Sequence, residues 1–310
     1  MITDIKGLHH VTAMSRDADR NNEFFTRTLG LRRVKKTVNF DEPSVYHLYY
    51  GDETGAPGTV MTYFPFPNIV RGRPGTGEVG ETVFSIPKGS LDFWKQRLAA
   101  AGTTGLIADE SFGAKRLRFT GPDGDGLAVV EVENDPRSGW TGNGVGDAEA
   151  IKGFHSASLR LRDGGATEEL LKYMGYQELD TSKGIKRFAI ADGNPAATID
   201  IQSLPNMPRG DLGAGSVHHI AFAVPDRAAQ LEVRKALMDT GYNVTPVIDR
   251  DYFYAIYFRT PGGVLFEIAT NEPGFDRNED QSHLGQALKL PSQHEHLRSY
   301  LETHLPQIRD

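Results

Sequence analysis

The segment LHHVTAM at residues 8–14 returns near the far end of the chain as VHHIAFA at 217–223. Recurrence of this kind constrains a fold strongly, because each copy must be one supersecondary unit whose apolar face is covered by another copy. Each His-His pair opens a short apolar run that ends in a polar turn, SRDAD in the first copy and VPDRA in the last. An amphipathic helical stretch follows, Ala18 to Leu29 in the first copy and Ala228 to Met238 in the last. Gly30 and Gly241 sit where a helix stop is expected. Three strand-like runs complete each unit, roughly 31–38, 44–50 and 58–64, then 242–248, 252–259 and 263–269. Two fainter copies span about 79–133 and 153–203, with helices from Leu91 to Ala101 and from Thr167 to Met174.

Four βαβββ modules define an α+β protein of mostly β character. One such module leaves a face of a curved sheet unburied, so modules pair into cups, giving two cup-shaped mixed β-sheet barrels. The polar, glycine-rich stretch 135–152 lies near the midpoint. It divides an N-terminal domain, 1–140 with modules one and two, from a C-terminal domain, 150–275 with modules three and four. Residues 276–310 form an extension in which Leu297, Tyr300, Leu301 and Leu305 have helical spacing, so a C-terminal helix packed on the body is expected. His294, His296 and His304 in that segment are read as solvated.

Composition narrows the chemistry. The chain has 310 residues and a net charge of −7, and no basic stretch suggests a nucleic-acid partner. No run reaches the ~18 apolar residues of a membrane span, and MITDIKGLHH has no apolar signal core, so a cytoplasmic protein is expected. There is no cysteine, which excludes disulfides, thiolate nucleophiles and sulfur-bound metals. Any metal must be held by His, Asp and Glu. Neighbouring strand residues face opposite sides, so one histidine of each pair, from His9 and His10 and from His218 and His219, faces the cup interior. Glu267 lies between Phe266 and Ile268 in a strand-like run, where a carboxylate is costly to bury unless paired or bound to a metal. Two histidines and one carboxylate would leave three open positions on an octahedral ion, an arrangement suited to Fe(II).

These segments resemble the vicinal oxygen chelate superfamily, which joins glyoxalases, bleomycin resistance proteins and extradiol dioxygenases. More closely, they are similar to ring-cleaving dioxygenases acting on para-hydroquinones. GLHHVTA (7–13), YHLYYGDETGAPGTVMTYFPFP (46–67), SVHHIAFAV (216–224), DRDYFYAIYFRTPGGVLFEIAT (249–270) and LPSQHEHLRSYLETHLP (290–306) carry the likeness, over nearly the whole chain. The resemblance implies that His10, His219 and Glu267 bind the metal, that His9, Thr12, His218, Arg250 and Tyr257 surround it, and that modules one and four pair. By alignment of the copies, Glu81, Glu131 and His155 occupy related positions in the middle modules, but His155 lacks the paired histidine.

The chemistry so implied is opening of an aromatic diol ring by both atoms of O2 on Fe(II), with Mn(II) as an alternative ion. His218 or His9 would handle protons, Tyr257 would hydrogen-bond an oxygen and Arg250 would stabilise anionic charge. Phe64, Phe253 and Tyr254 would contact the ring, and His47 is assigned to packing. A glyoxalase-like isomerase or lyase, which usually needs four protein ligands, is the alternative, opposed by the lack of a partner carboxylate in TVMTYFPF (59–66). A non-catalytic binder of small aromatics or antibiotics is the third reading. A homo-oligomer is left open.

Overall fold

The computed structural model describes residues 1–309. Module one comprises β1 (Leu8–Ser15), α1 (Ala18–Glu23), β2 (Arg32–Val38), β3 (Tyr46–Gly51) and β4 (Val60–Pro65). Module two comprises β5 (Glu78–Pro87), α2 (Leu91–Ala100), β6 (Thr104–Ser111), β7 (Ala114–Thr120) and β8 (Gly126–Val132). Module three comprises β9 (Gly153–Leu161), α3 (Gly165–Tyr173), β10 (Gln177–Ser182), β11 (Ile185–Ala189) and β12 (Thr198–Ser203). Module four comprises β13 (Val217–Val224), α4 (Arg227–Asp239), β14 (Ile248–Asp249), β15 (Phe253–Arg259) and β16 (Leu265–Pro273). The final helix, α5, is Arg298–His304.

Local chemistry explains these units. Asp17 and Asp226 each accept a hydrogen bond from a first-turn backbone N–H, of Arg20 and Ala229, and so start α1 and α4. Gly30 and Gly241, beyond the first and last helical stretches, have φ of +68° and +90°, a conformation that side chains with a Cβ rarely adopt. The first helical stretch departs from expectation. Its α-helical part ends at Glu23, and Phe24–Thr28 continue as a π-helical turn. The strand expected over 242–248 is reduced to the two-residue β14. The C-terminal helix is present but short, preceded by a 3-10 turn over Ser292–Leu297. Leu301 and Leu305 are buried, whereas Tyr300 is exposed.

The strands form two eight-stranded curled mixed sheets. One has the order β14-β15-β16-β13-β1-β4-β3-β2 and joins modules four and one. The other has the order β10-β11-β12-β9-β5-β8-β7-β6 and joins modules three and two. Each sheet therefore takes one module from either side of residues 140–150. At the centre of each sheet the two modules meet along an antiparallel pair, β1 with β13 and β5 with β9. The principal core is built from both sheets and includes Leu8, Val11, Phe84, Phe154, Phe222 and Ile256. Among the described residues, no helix is long and apolar enough to cross a membrane.

The outer-module sheet is also tied to the middle one through polar groups. The Tyr63 hydroxyl on β4 donates to Asp125 Oδ1 in the turn before β8, at 2.9 Å. The backbone N–H and Nε of Arg16, just beyond β1, donate to the Asp123 carboxylate. Asp125 is buried, and burial raises its carboxyl to about 6.

Because the folded pKa of Asp125 lies above its unfolded value near 3.9, its contribution to stability is complete below about pH 4 and is lost as pH rises through 6. Asp125→Asn keeps an acceptor for Tyr63 and removes the charge. It is expected to flatten the stability profile between pH 5 and 8 and to stabilise the protein at pH 8 by about 1–3 kcal/mol. Urea unfolding at the two pH values checks this; equal pH dependence in variant and wild type rejects it.

Candidate metal centre

Strand register brings three distant residues together. His10 on β1 pairs with Ala221 on β13, and Ala221 pairs in turn with Glu267 on β16. His219 lies two residues before Ala221 and so on the same face. The result is a buried trio, with one ligand atom from each of His10, His219 and Glu267 all within 4.8 Å of one another. His219 Nε2 is 2.9 Å from Glu267 Oε2, and His10 Nε2 is 3.4 Å from the same oxygen. The two Nε2 atoms are 3.4 Å apart.

The protonation of this trio follows from its surroundings. His10 Nδ1 lies 2.9 Å from His9 Nδ1, and His219 Nδ1 lies 2.7 Å from His218 Nδ1. The His9 ring also donates to the Thr270 backbone carbonyl. With its Nδ1 against His10, that donor is Nε2, so His9 Nδ1 accepts the proton of His10. Burial lowers the pKa of His9 to about 3 and of His218 to about 4, and lowers that of His219 as well. Burial opposes a charged Glu267, while His10 and His219, when charged, pull the other way and hold the carboxyl well below its usual range. With Nδ1–H of His10 and His219 directed to their neighbours, both Nε2 atoms present bare lone pairs to a carboxylate. Neither Glu267 oxygen has a hydrogen-bond partner, although the side chain is fully buried. Lone pairs converging without a proton fit a cation, and the donor set suits a divalent transition metal.

A cavity of about 280 Å³ opens on this trio. His218, Arg250, Tyr257, Phe64 and Phe253, all anticipated from the sequence, line it. Arg250 Nε donates to the Tyr257 hydroxyl at 3.3 Å, and its Nη atoms lie 3.4 Å from Asp41 Oδ2. Burial, with Glu267 next, raises the pKa of Tyr257, so its hydroxyl keeps its proton. The cavity wall does not include His9, Thr12 or Tyr254. His9 stands behind His10 against Phe253. Thr12 lies beneath the wall, joined to Thr62. Tyr254 follows Phe253 on β15 and points to the other side, where Arg227 covers its ring. Tyr254 is therefore not a ring contact, contrary to expectation.

Several wall residues were not singled out for the site from sequence. Asn39, Phe40, Asp41 and Glu42 border the cavity from the loop after β2. Asn39 Oδ1 accepts the backbone N–H groups of Asp41 and Glu42, while Gln293 and His294 both donate to the Phe40 carbonyl at 2.8 Å. His294 is thus not solvated as expected; it anchors this loop. His47 and Tyr49, alternate residues on β3, also line the cavity. Their i, i+2 spacing beside a ligand-bearing module was the available signal.

The two-fold repeat also explains why the trio has no fourth member. Matching His10 to His219 matches Thr12 to Ala221, and the partner of Thr12 on β4 is Thr62, where module four has Glu267. Thr62 carries a hydroxyl already engaged on both sides. In the middle sheet, Glu81, Glu131 and His155 do not converge. Glu81 is paired at 2.7 Å with Arg116 and with Arg118. Glu131 accepts the backbone N–H groups of Gly89 and Leu91 at the start of α2. His155 is held neutral, its pKa lowered to about 3 by burial and by Arg187 and Arg137. Among the described residues, His10, His219 and Glu267 are the one group of this kind.

Comparison with known proteins agrees with this architecture. Residues 7–268 match the family model described as Glyoxalase/Bleomycin resistance protein/Dioxygenase superfamily. MhqE of Bacillus subtilis (strain 168), provisionally named a ring-cleaving dioxygenase, is 43% identical over 98% of this chain and 97% of its own length. The chlorohydroquinone/hydroquinone 1,2-dioxygenase of Sphingobium indicum is 34% identical over 96% of this chain and 95% of its own. A crystal structure of a provisionally named dioxygenase from Bacillus subtilis subsp. subtilis str. 168 superposes with a TM-score of 0.95 at 40% identity, covering 99% of this chain and 98% of that one. With the repeat, the paired modules and the buried trio, this match places the chain in the glyoxalase/bleomycin resistance protein/dioxygenase superfamily.

Proposed function

We propose that this chain is a cytoplasmic Fe(II)-dependent dioxygenase that opens the ring of a substituted hydroquinone with O2. The observation that carries the reading is a buried 2-His-1-carboxylate trio facing an aromatic-lined cavity, with no fourth protein ligand at Thr62. The names of the relatives support ring cleavage and a diol substrate. A ferrous ion on the trio supplies the redox link between an electron-rich ring and dioxygen.

The remaining chemistry belongs to the protein. Phe64 and Phe253 flank the cavity and exclude water from the ring. Arg250 faces the cavity with only 16% of its side chain exposed and stabilises an ionised diol oxygen. Tyr257 accepts from Arg250 and keeps its own proton to donate to a substrate oxygen. His218 lines the cavity with Nδ1 accepting from His219, so its Nε2–H is placed to hydrogen-bond a substrate oxygen. His9 has no such freedom, because Thr270 holds its other nitrogen. It orients His10 instead. A glyoxalase-like isomerase needs a carboxylate where Thr62 stands, which favours the dioxygenase.

Anaerobic loading with Fe(II), followed by hydroquinone or methylhydroquinone and air, is expected to consume one O2 per diol. The ring-opened product should absorb in the near ultraviolet. No oxygen uptake with either diol by iron-loaded protein rejects the reading. His10→Ala and Glu267→Ala should each weaken metal binding by more than about 100-fold by calorimetry and abolish turnover; either variant keeping its iron would refute the ligand assignment. Ala221→Leu tests the register. It forces a larger side chain between His10 and Glu267, so metal should be lost with a stability cost of only about 1–3 kcal/mol. Undiminished metal affinity in that variant would contradict the packing described. Tyr257→Phe should keep the metal and lower kcat about 10- to 1,000-fold, measured by oxygen uptake.

A further inference from the structure

One buried histidine beside the trio is not used by this chemistry. His47 lies in the cavity wall, 7% exposed, with both ring nitrogens engaged. Its Nδ1 is 2.8 Å from the Tyr49 hydroxyl, and its Nε2 is 2.9 Å from Thr62 Oγ1. Thr62 in turn donates to Thr12 Oγ1 at 2.8 Å. Four side chains on three adjacent strands thus form one hydrogen-bonded chain, two residues along β1 from His10.

Such a chain has a direction. A phenol is the strongest donor of the four groups and a bare imidazole nitrogen the strongest acceptor, so Tyr49 donates to Nδ1. Nδ1 then carries no proton, and Nε2–H donates to Thr62. Thr62 then passes its own proton to Thr12 Oγ1, 2.8 Å away. Thr12 accepts, and among the described residues its proton has no acceptor. Burial, with His10, His219 and Arg250 nearby, keeps His47 uncharged.

We infer that His47 is a positioning residue: as the Nε2–H tautomer it sets the direction of the chain Tyr49→His47→Thr62→Thr12 and so fixes the part of the cavity wall where His47 and Tyr49 face the trio. The chain occupies the place of the absent fourth ligand, because Thr62 stands where Glu267 stands in module four. A hydroxyl there that can only pass a proton onward orients a neighbour instead of binding the ion. The consequence for turnover rests on the dioxygenase reading; the tautomer does not.

The test combines a spectrum with a mutant cycle. Full-length protein carrying 15N-labelled histidine and loaded with Zn(II) is compared with its His47→Gln variant to identify the His47 signals. The expected result is a protonated Nε2 and an unprotonated Nδ1, unchanged from pH 5.5 to 9. Thr62→Val preserves shape and cuts the chain. With Fe(II), it and Thr12→Val should each lower kcat about 10- to 100-fold with KM changed less than about threefold, and the double variant should be no worse than either single one. An Nδ1–H tautomer, a titration of His47 within that range, an unchanged kcat in Thr62→Val, or losses that multiply in the double variant would overturn the inference. If wild-type protein consumes no oxygen, the dioxygenase reading fails, and the tautomer alone decides the direction of the chain.

Discussion

The register of three central strands is the constraint on which the rest depends. His10, Ala221 and Glu267 stand side by side on β1, β13 and β16, and no element of either module alone contains them all. The antiparallel β1–β13 pair is also the seam between modules one and four. A one-residue slip along it would turn His10 outward and bring Val11 into the site. Apolar packing beneath the seam, from Leu8, Val11, Ile220 and Phe222, opposes that slip. Fold stability and ligand geometry are therefore enforced by the same contacts.

The seam also places a fully buried carboxylate where it needs a partner. An unpaired Glu267 would be strongly destabilising in such a setting. Each ligand histidine has its Nδ1 tied to the histidine before it in the chain, so the lone pairs that face the carboxylate are oriented in advance. On the proposed metal-binding reading, the paired His-His motif is a ligand together with its own support. The two supports are not equivalent: the Thr270 carbonyl withdraws His9 from solvent, while His218 remains on the cavity wall.

Much of this was legible in the sequence. The repeat specified four modules, and the resemblance added which of them pair and which histidine of each pair would be the ligand. Glu267 stood out as a carboxylate in an apolar strand. Other features depend on tertiary placement that local patterns do not encode. The shortened strand at Ile248–Asp249 has weak periodicity around Pro246, and the π-helical turn at Phe24 fits Phe25 against Tyr50 and Tyr63. His294 reads as a surface residue until the loop carrying Phe40 is set against it. His47 has the spacing of an ordinary packed residue, and its connection to Thr12 passes through a third strand. The acidic residues of the middle modules illustrate the converse. Glu81 and Glu131 matched positions in the repeat, but arginines and a helix start had already claimed them.

The order of the modules along the chain bears on how the protein comes into being. The middle sheet is contiguous in sequence, from β5 to β12, so it can close while synthesis is still under way. The outer sheet cannot, since its two halves lie at opposite ends of the polypeptide. A growing chain offers a single ligand, His10, until the last module emerges to pair with the first. Capture of a metal ion by the trio would thereby be deferred to the final folding event, after the middle sheet is already in place.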